Sequence, residues 1–184
     1  MHDVIIRNKK QLPLYEKIVD QQLPPAIVVP MQQQLATSLP DQDVCLTSVL
    51  SDNDAFISVS RKPHDHSNIL FSSGTTGTPK AIPWSHTTPI RCASDAMFHQ
   101  DIHPHDVLCW LTNLGWMMGP WLIYAALMNL ATIALYDDAP NGERFGQFIE
   151  QAGVTMLGLV PSMVKAWRTS HCMETCDWSK IKTF

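Results

Sequence analysis

The sequence predicts an α/β fold, a largely parallel sheet flanked by helices. Short apolar, β-branched runs alternate along the chain with segments of helical periodicity. Within those runs polar residues do not alternate with apolar ones, so they read as strands buried on both faces, the signature of a parallel sheet. Hydrophobic residues make up 45% of the 184, enough to fill a sizeable core.

In chain order, Leu14, Tyr15, Ile18 and Val19 fall at helical spacing, and Pro24 and Pro25 end the helix they predict over Leu12–Val19. "AIVV", ahead of Pro30, reads as a short buried strand. Residues 31–66 are polar and broken by Pro40 and Pro63, with one helix expected around Thr47–Asn53. "NILFSS" is strand-like and runs into a polar loop. "HTTPIRCASDAMFHQ" then predicts a helix with Ile90, Ala93, Ala96 and Met97 on its inner side. The alternation continues: "VLCWLT" as strand, "WLIYAALM" as helix, "TIALYD" as strand, "RFGQFIEQA" as a helix with Phe145, Phe148 and Ile149 inward, and "VTMLGLV" as strand. Pro161 opens a last helix, "PSMVKAWRTS", in keeping with proline's tolerance in a first turn.

Charge excludes some partners. With 16% charged residues and a net charge of −4, the chain lacks the basic surface that nucleic acid or an anionic membrane requires, and a small organic ligand is expected. Leu114–Tyr136 carries no charge and is long enough to cross a bilayer. Gly115, Gly119, Pro120 and Asn129 interrupt it, and its character changes from helix-like to β-branched, so a buried helix followed by a buried strand is expected instead of a span. A membrane-anchored protein would use this segment. Five irregularly spaced cysteines and no secretory leader at Met1–Lys10 point to a reducing, intracellular setting. His171-Cys172 and Cys176 lack a second ligand pair, and His64-x-His66 and His103-x-His105 lie in polar, proline-flanked stretches, so no metal site is expected.

The chemistry is concentrated in "ILFSSGTTGTPKAIPW". Backbone N–H groups at a glycine turn, hydroxyl donors and a lysine together suit a phosphate chain, and Ser72, Ser73, Gly74, Thr75, Thr76, Gly77, Thr78 and Lys80 provide all three. The spacing fits neither G-x-x-x-x-G-K-[ST] nor G-x-G-x-x-G. Neither serine stands in G-x-S-x-G, so a hydrolase nucleophile is disfavoured.

Residue for residue, the loop resembles the phosphate-binding motif of the adenylate-forming superfamily, which includes acyl-CoA synthetases, luciferases and peptide-synthetase adenylation domains. Ile69, Ser72, Ser73, Gly74, Thr75, Thr76, Gly77, Pro79 and Lys80 fill its constrained positions. "TNLGWMMGPW" resembles the D-x-G-W-x-x-G-H stretch of acetyl-CoA synthetase-like members through Gly115, Trp116 and Gly119, with Asn113 in place of the acid and Pro120 in place of the histidine. "AGVTMLGLVPSMVKAW" is similar to the strand and helix that follow there. The likeness covers Ser67–Phe184 well and the start of the chain loosely, and its wording is most similar to plant peroxisomal acyl-activating enzymes.

The resemblance implies a partial N-terminal domain, with residues 1–66 a variable portion and 67–184 the AMP-binding core. It implies that a carboxylate and ATP, with Mg²⁺, give an acyl-adenylate and pyrophosphate, and that coenzyme A then forms the thioester. The eight loop residues would bind the ATP phosphates. Trp116, Met117 and Met118 would line the acyl pocket, and the two methionines, where acetyl-specific relatives have smaller residues, imply a substrate other than acetate. The family's Tyr-Gly-x-Thr-Glu, Thr-Gly-Asp and C-terminal catalytic lysine are not in these 184 residues. A fragment without a catalytic residue of its own, inactive alone, is therefore expected. A non-catalytic nucleotide-binding module, or an adenylation domain of luciferase or peptide-synthetase type, stays open. Lys182-Thr183-Phe184 is not a Ser-Lys-Leu address; a cytoplasmic or peroxisomal location is what the resemblance suggests.

Overall fold

The computed structural model describes residues 1–7, 10–21, 23–74 and 77–184, the side chain of Arg7 excepted. The chain divides into two compact units, one of Met1–Ser58 with Asp137–Ala139 and one of Val59–Tyr136 with Pro140–Phe184.

In the first unit β1 (Val4–Arg7) pairs antiparallel with β2 (Lys10–Pro13), and β3 (Ile27–Val28) pairs parallel with β4 (Val44–Cys45), ahead of the single turn α1 (Leu46–Val49). The helix expected over Leu12–Val19 is instead the end of β2 and a 3₁₀ turn at Tyr15–Lys17. Long-range bonds override the local periodicity there. Leu14 and Tyr15 donate their N–H groups to the Asp3 carbonyl, and the buried Tyr15 hydroxyl donates to Asp43. That bond, with burial, pushes the tyrosine up to about 12. Asp3 is buried as well. Burial alone would raise its carboxyl, but N–H groups of Ala36, Met31 and Val4 donate to it and hold it below its ordinary value.

The second unit carries the predicted α/β core. A parallel sheet runs in the order β8 (Thr132–Ile133), β7 (Val107–Trp110), β9 (Met156–Gly158), preceded in the chain by a hairpin of β5 (His66–Ser72) and β6 (Lys80–Ser85) and by α2 (Thr88–His99). Strand alternation gives each sheet face its own core. Leu108 and Met156 join Ala96 of α2 and Leu122, Ala125 and Ala126 of α3 (Met118–Leu127). Cys109 and Leu157, on the opposite face, join Phe145 and Ile149 of α4 (Gly142–Gln151) and Trp167 of α5 (Pro161–Ser170). Helices therefore cover both faces, and burial pushes the Cys109 thiol up to about 12.

Leu114–Tyr136 is the expected helix and strand: α3 has ten residues, and among the described residues no helix is long and apolar enough to cross a membrane. Asn129, the polar residue in that stretch, donates its side-chain amide to the carbonyls of Ala93 (3.0 Å) and Ala125 (2.8 Å), tying α3 to α2. Thr183 forms a parallel bridge to Met156 beside β9, and next to it Lys182 Nζ lies 2.8 Å from the buried Asp106.

Two local expectations change. The polar loop leads into a second strand, β6, not directly into a helix; Pro83 is tolerated in it because a two-stranded hairpin leaves proline an edge position. On α2 the inner face is Cys92, Ala93 and Ala96, whereas Ile90 and Met97 are exposed. The helix packs against α3 through its small residues, which allows the close approach that Asn129 spans.

Candidate functional site

The hairpin register closes the loop with Ser72 directly opposite Lys80. Between them Gly74 and Gly77 adopt φ of +62° and +81°, the left-handed region that L side chains rarely enter. A Cβ at Gly74 would sit 2.8 Å from the Thr78 carbonyl oxygen and 3.7 Å from Cγ and Cε of Lys80. The lysine stem thus folds back across the glycine, and the loop is drawn in around Gly74 in a way no larger residue permits. Ser73, Gly77, Thr78 and Lys80 are exposed, with Ser72 and Gly74 half-buried, so these groups face outward and can be approached. Thr75 and Thr76, also assigned to the phosphate site, lie outside the described residues.

The "TNLGWMMGPW" stretch forms the turn into α3. Asn113 Oδ1 accepts the Gly115 N–H at 2.9 Å, the turn bond an aspartate would also make, so the exchange of acid for amide leaves the local geometry served. A Cβ at Gly119 would lie 2.1 Å from the Asn113 carbonyl oxygen, which explains a glycine there. Pro120 sits in the first turn of α3, where its missing N–H costs no intrahelical bond. Of the three residues assigned to the acyl pocket, Met117 and Met118 line a cavity of about 570 Å³. Trp116 is 70% exposed and is not in that wall.

Sequence reasoning missed the rest of this cavity, which Trp84 of β6, Trp110 of β7 and Trp121 of α3 help to line. Trp121 was reachable, because it follows Met117 and Met118 by four and three residues and so shares their helix face. Trp110 was not, since its place depends on a neighbouring strand. Its ring lies across β9, where a Cβ on Gly158 would meet it at 2.0 Å, and it packs edge-on against Trp121 at 5.8 Å.

A family model described as AMP-binding enzyme matches residues 4–183. Hexanoyl-CoA synthase of Cannabis sativa is 47% identical over 99% of this chain and 26% of its own length. The probable acyl-activating enzyme 17, peroxisomal, of Arabidopsis thaliana is 43% identical over 99% and 26%. Among solved structures, acetoacetyl-CoA synthetase from Streptomyces lividans superimposes with a TM-score of 0.83 at 26% identity, covering 99% of this chain and 30% of that one. The chain spans about a quarter of the length of the curated relatives it matches.

Proposed function

The chain belongs to the AMP-binding enzyme family, and from that premise we propose that it is the phosphate-binding segment of an AMP-forming acyl-CoA synthetase. The carrying observation is the hairpin loop, in which Gly74 and Gly77 are left-handed and Lys80, paired opposite Ser72, folds back across Gly74. In this reading the hydroxyls of Ser72, Ser73, Thr75, Thr76 and Thr78, the N–H groups around Gly74 and Gly77, and the Lys80 ammonium hold the ATP phosphates with Mg²⁺. ATP supplies the adenylyl group for the carboxylate and the pyrophosphate that leaves, and coenzyme A takes the acyl group. The loop's part is to position the triphosphate and offset its charge. Residues 67–184 form the AMP-binding core in this reading and 1–66 its variable portion. Relatives named as peroxisomal favour a peroxisomal location.

Calorimetric titration with Mg–ATP tests the assignment. Lys80→Ala is expected to weaken binding at least tenfold, and unchanged affinity would refute the phosphate role. These 184 residues include no segment assigned to adenine or ribose, so by themselves they are expected to bind ATP without catalysing carboxylate-dependent pyrophosphate exchange. Exchange above background would show that they suffice for the reaction.

A further inference from the structure

α5 ends at His171, which takes a left-handed φ of +53°, and the segment that follows carries two of the five cysteines, Cys172 and Cys176. Tight turns coil it: the Glu174 N–H donates to the His171 carbonyl at 3.2 Å and the Cys176 N–H to the Met173 carbonyl at 3.5 Å. The segment lies against Gly146 of α4, where a Cβ would sit 2.0 Å from the Cys172 carbonyl oxygen. The same Cβ would sit 3.1 Å from the Cys172 carbonyl carbon and 2.9 Å from Cys176 Sγ, so those two atoms are at most about 6 Å apart. That separation is of the order a disulfide spans, ~4.4–6.8 Å between Cα atoms.

The two thiols stand in unlike surroundings. Cys172 is fully buried, in one cluster with Phe145 and Trp167, whereas Cys176 is half-buried and open to small reagents. Burial pushes the Cys172 thiol up; the Ser170 hydroxyl opposes this and the charge of Cys176 adds to it, so the two sulfurs sense one another. The chain is tied down on both sides of the pair. Upstream, the Cys172 N–H donates to the Trp167 carbonyl of α5 at 3.4 Å. Downstream, the Asp177 N–H donates to Glu150 Oε2 at 3.2 Å and the Trp178 indole N–H to the Gly146 carbonyl at 3.0 Å, both on α4. Gly146 leaves no room for a larger residue, which keeps the segment close to the helix.

We infer that Cys172 and Cys176 are a redox pair, oxidised by a hydroperoxide to a disulfide that staples the end of α5 to the segment lying over α4. The accessible Cys176 reacts first: its thiolate attacks a peroxide oxygen, the O–O bond breaks, and hydroxide leaves a sulfenic acid on sulfur. Cys172 resolves it. Its thiolate attacks the Cys176 sulfur, the S–S bond forms, the S–O bond breaks, and a second hydroxide leaves. The two thiols supply two electrons and two protons, and one hydrogen peroxide becomes two waters. A dithiol reductant reverses the step by exchange. The closed loop restricts the unfolded chain more than the folded one, so the oxidised form is the more stable.

Trypsin releases residues 169–180 as a single peptide that holds both cysteines and no other. The folded protein is treated with hydrogen peroxide in the presence of dimedone, which traps sulfenic acids, then alkylated in urea, digested and weighed. In the wild type the peptide is expected to lose two hydrogens and accept no alkyl group, and to accept two after dithiothreitol. Oxidation of Met173 adds an oxygen and is distinguished by mass. With Cys172→Ser the sulfenic acid has no resolving thiol, and dimedone labelling of Cys176 should rise at least tenfold. Cys172→Ala should do the same, and circular dichroism melts show that each variant is folded. With Cys176→Ser, Cys172 should still be alkylated. The urea midpoint of the oxidised wild type should lie above that of the reduced protein and return with dithiothreitol. Equal dimedone labelling of Cys176 in the wild type and both folded Cys172 variants overturns the inference, as does a disulfide from Cys172 to Cys109. An oxidised midpoint at or below the reduced one overturns the staple.

Discussion

The β5–β6 hairpin leaves one of its faces bare, with Ile69 and Phe71 exposed beside Ala81 and Pro83, whereas every residue of β9 is buried and β7 lies between two hydrophobic clusters. The hairpin carries the residues assigned to phosphate, and its loop is shaped by backbone conformation, two glycines at positive φ. The sheet carries none of the loop's chemistry and is shaped by what covers it. Conformational demands of the first kind concern which residue can stand at a position; demands of the second kind concern how much volume is filled there. Substitutions in the two regions should therefore fail differently.

The largest effect is expected at the sheet. Phe145, fully buried, stacks on Trp167 at 5.4 Å and meets Tyr136 and Trp178 edge-on, so Phe145→Ala should cost about 4 kcal/mol in urea unfolding. Gly158→Ala comes next: the new Cβ has to displace the Trp110 ring, and about 2 kcal/mol is expected, with a change in tryptophan fluorescence. Either variant unfolding at the wild-type midpoint would contradict the packing described.

A smaller effect is expected from the Lys182–Asp106 pair. Burial alone would raise the Asp106 carboxyl, but the Lys182 ammonium, the His103 N–H and Thr155 together hold it below its ordinary 3.8. Its contribution is therefore present above that pH and lost as pH falls through the depressed value. Lys182 is held above its ordinary 10.5 chiefly by its bond to Asp106, so its contribution is present below that pH and lost as pH rises through the raised value. Lys182→Met should shift the acid unfolding transition to higher pH and lower the alkaline dependence. An unchanged acid limb in a pH series of melts would show that the pair does not contribute.

Smallest for stability is the hairpin. Lys80→Ala, at an exposed side chain, should leave the urea midpoint unchanged even as it weakens Mg–ATP binding. If it unfolded the protein as Phe145→Ala does, the contrast between the two regions would be lost.

What the sequence showed follows the same division. The sheet strands were legible as continuous apolar runs, the helices from α2 to α5 by their helix-like segments between those runs, and the loop because its nine constrained positions are local. The β1–β2 hairpin was not, since Leu14 and Tyr15 have helical spacing and only their bonds to Asp3, across the hairpin, decide otherwise. β6 was not legible either, because it is a strand only through its pairing with β5. The inner face of α2 is Cys92, Ala93 and Ala96 and not the side of Ile90 and Met97, because the close approach to α3 takes small residues, which helical spacing alone does not select. Half the cavity was hidden too: Met117 and Met118 came from the motif, while Trp84 and Trp110 meet them only through tertiary contacts.

The cysteines extend the contrast to covalent reactivity. Cys109 and Cys172 are sealed in the sheet core and Cys92 in the cavity wall, each with its thiol pushed up by burial, whereas Cys45 and Cys176 are partly accessible and all five are unpaired. A thiol reagent at neutral pH meets two quick sites and three slow ones, because the thiolate is the reacting form and burial suppresses it. The slow ones react only as fast as their surroundings open. Cys109 thereby times the breathing of the sheet without any label having to be introduced.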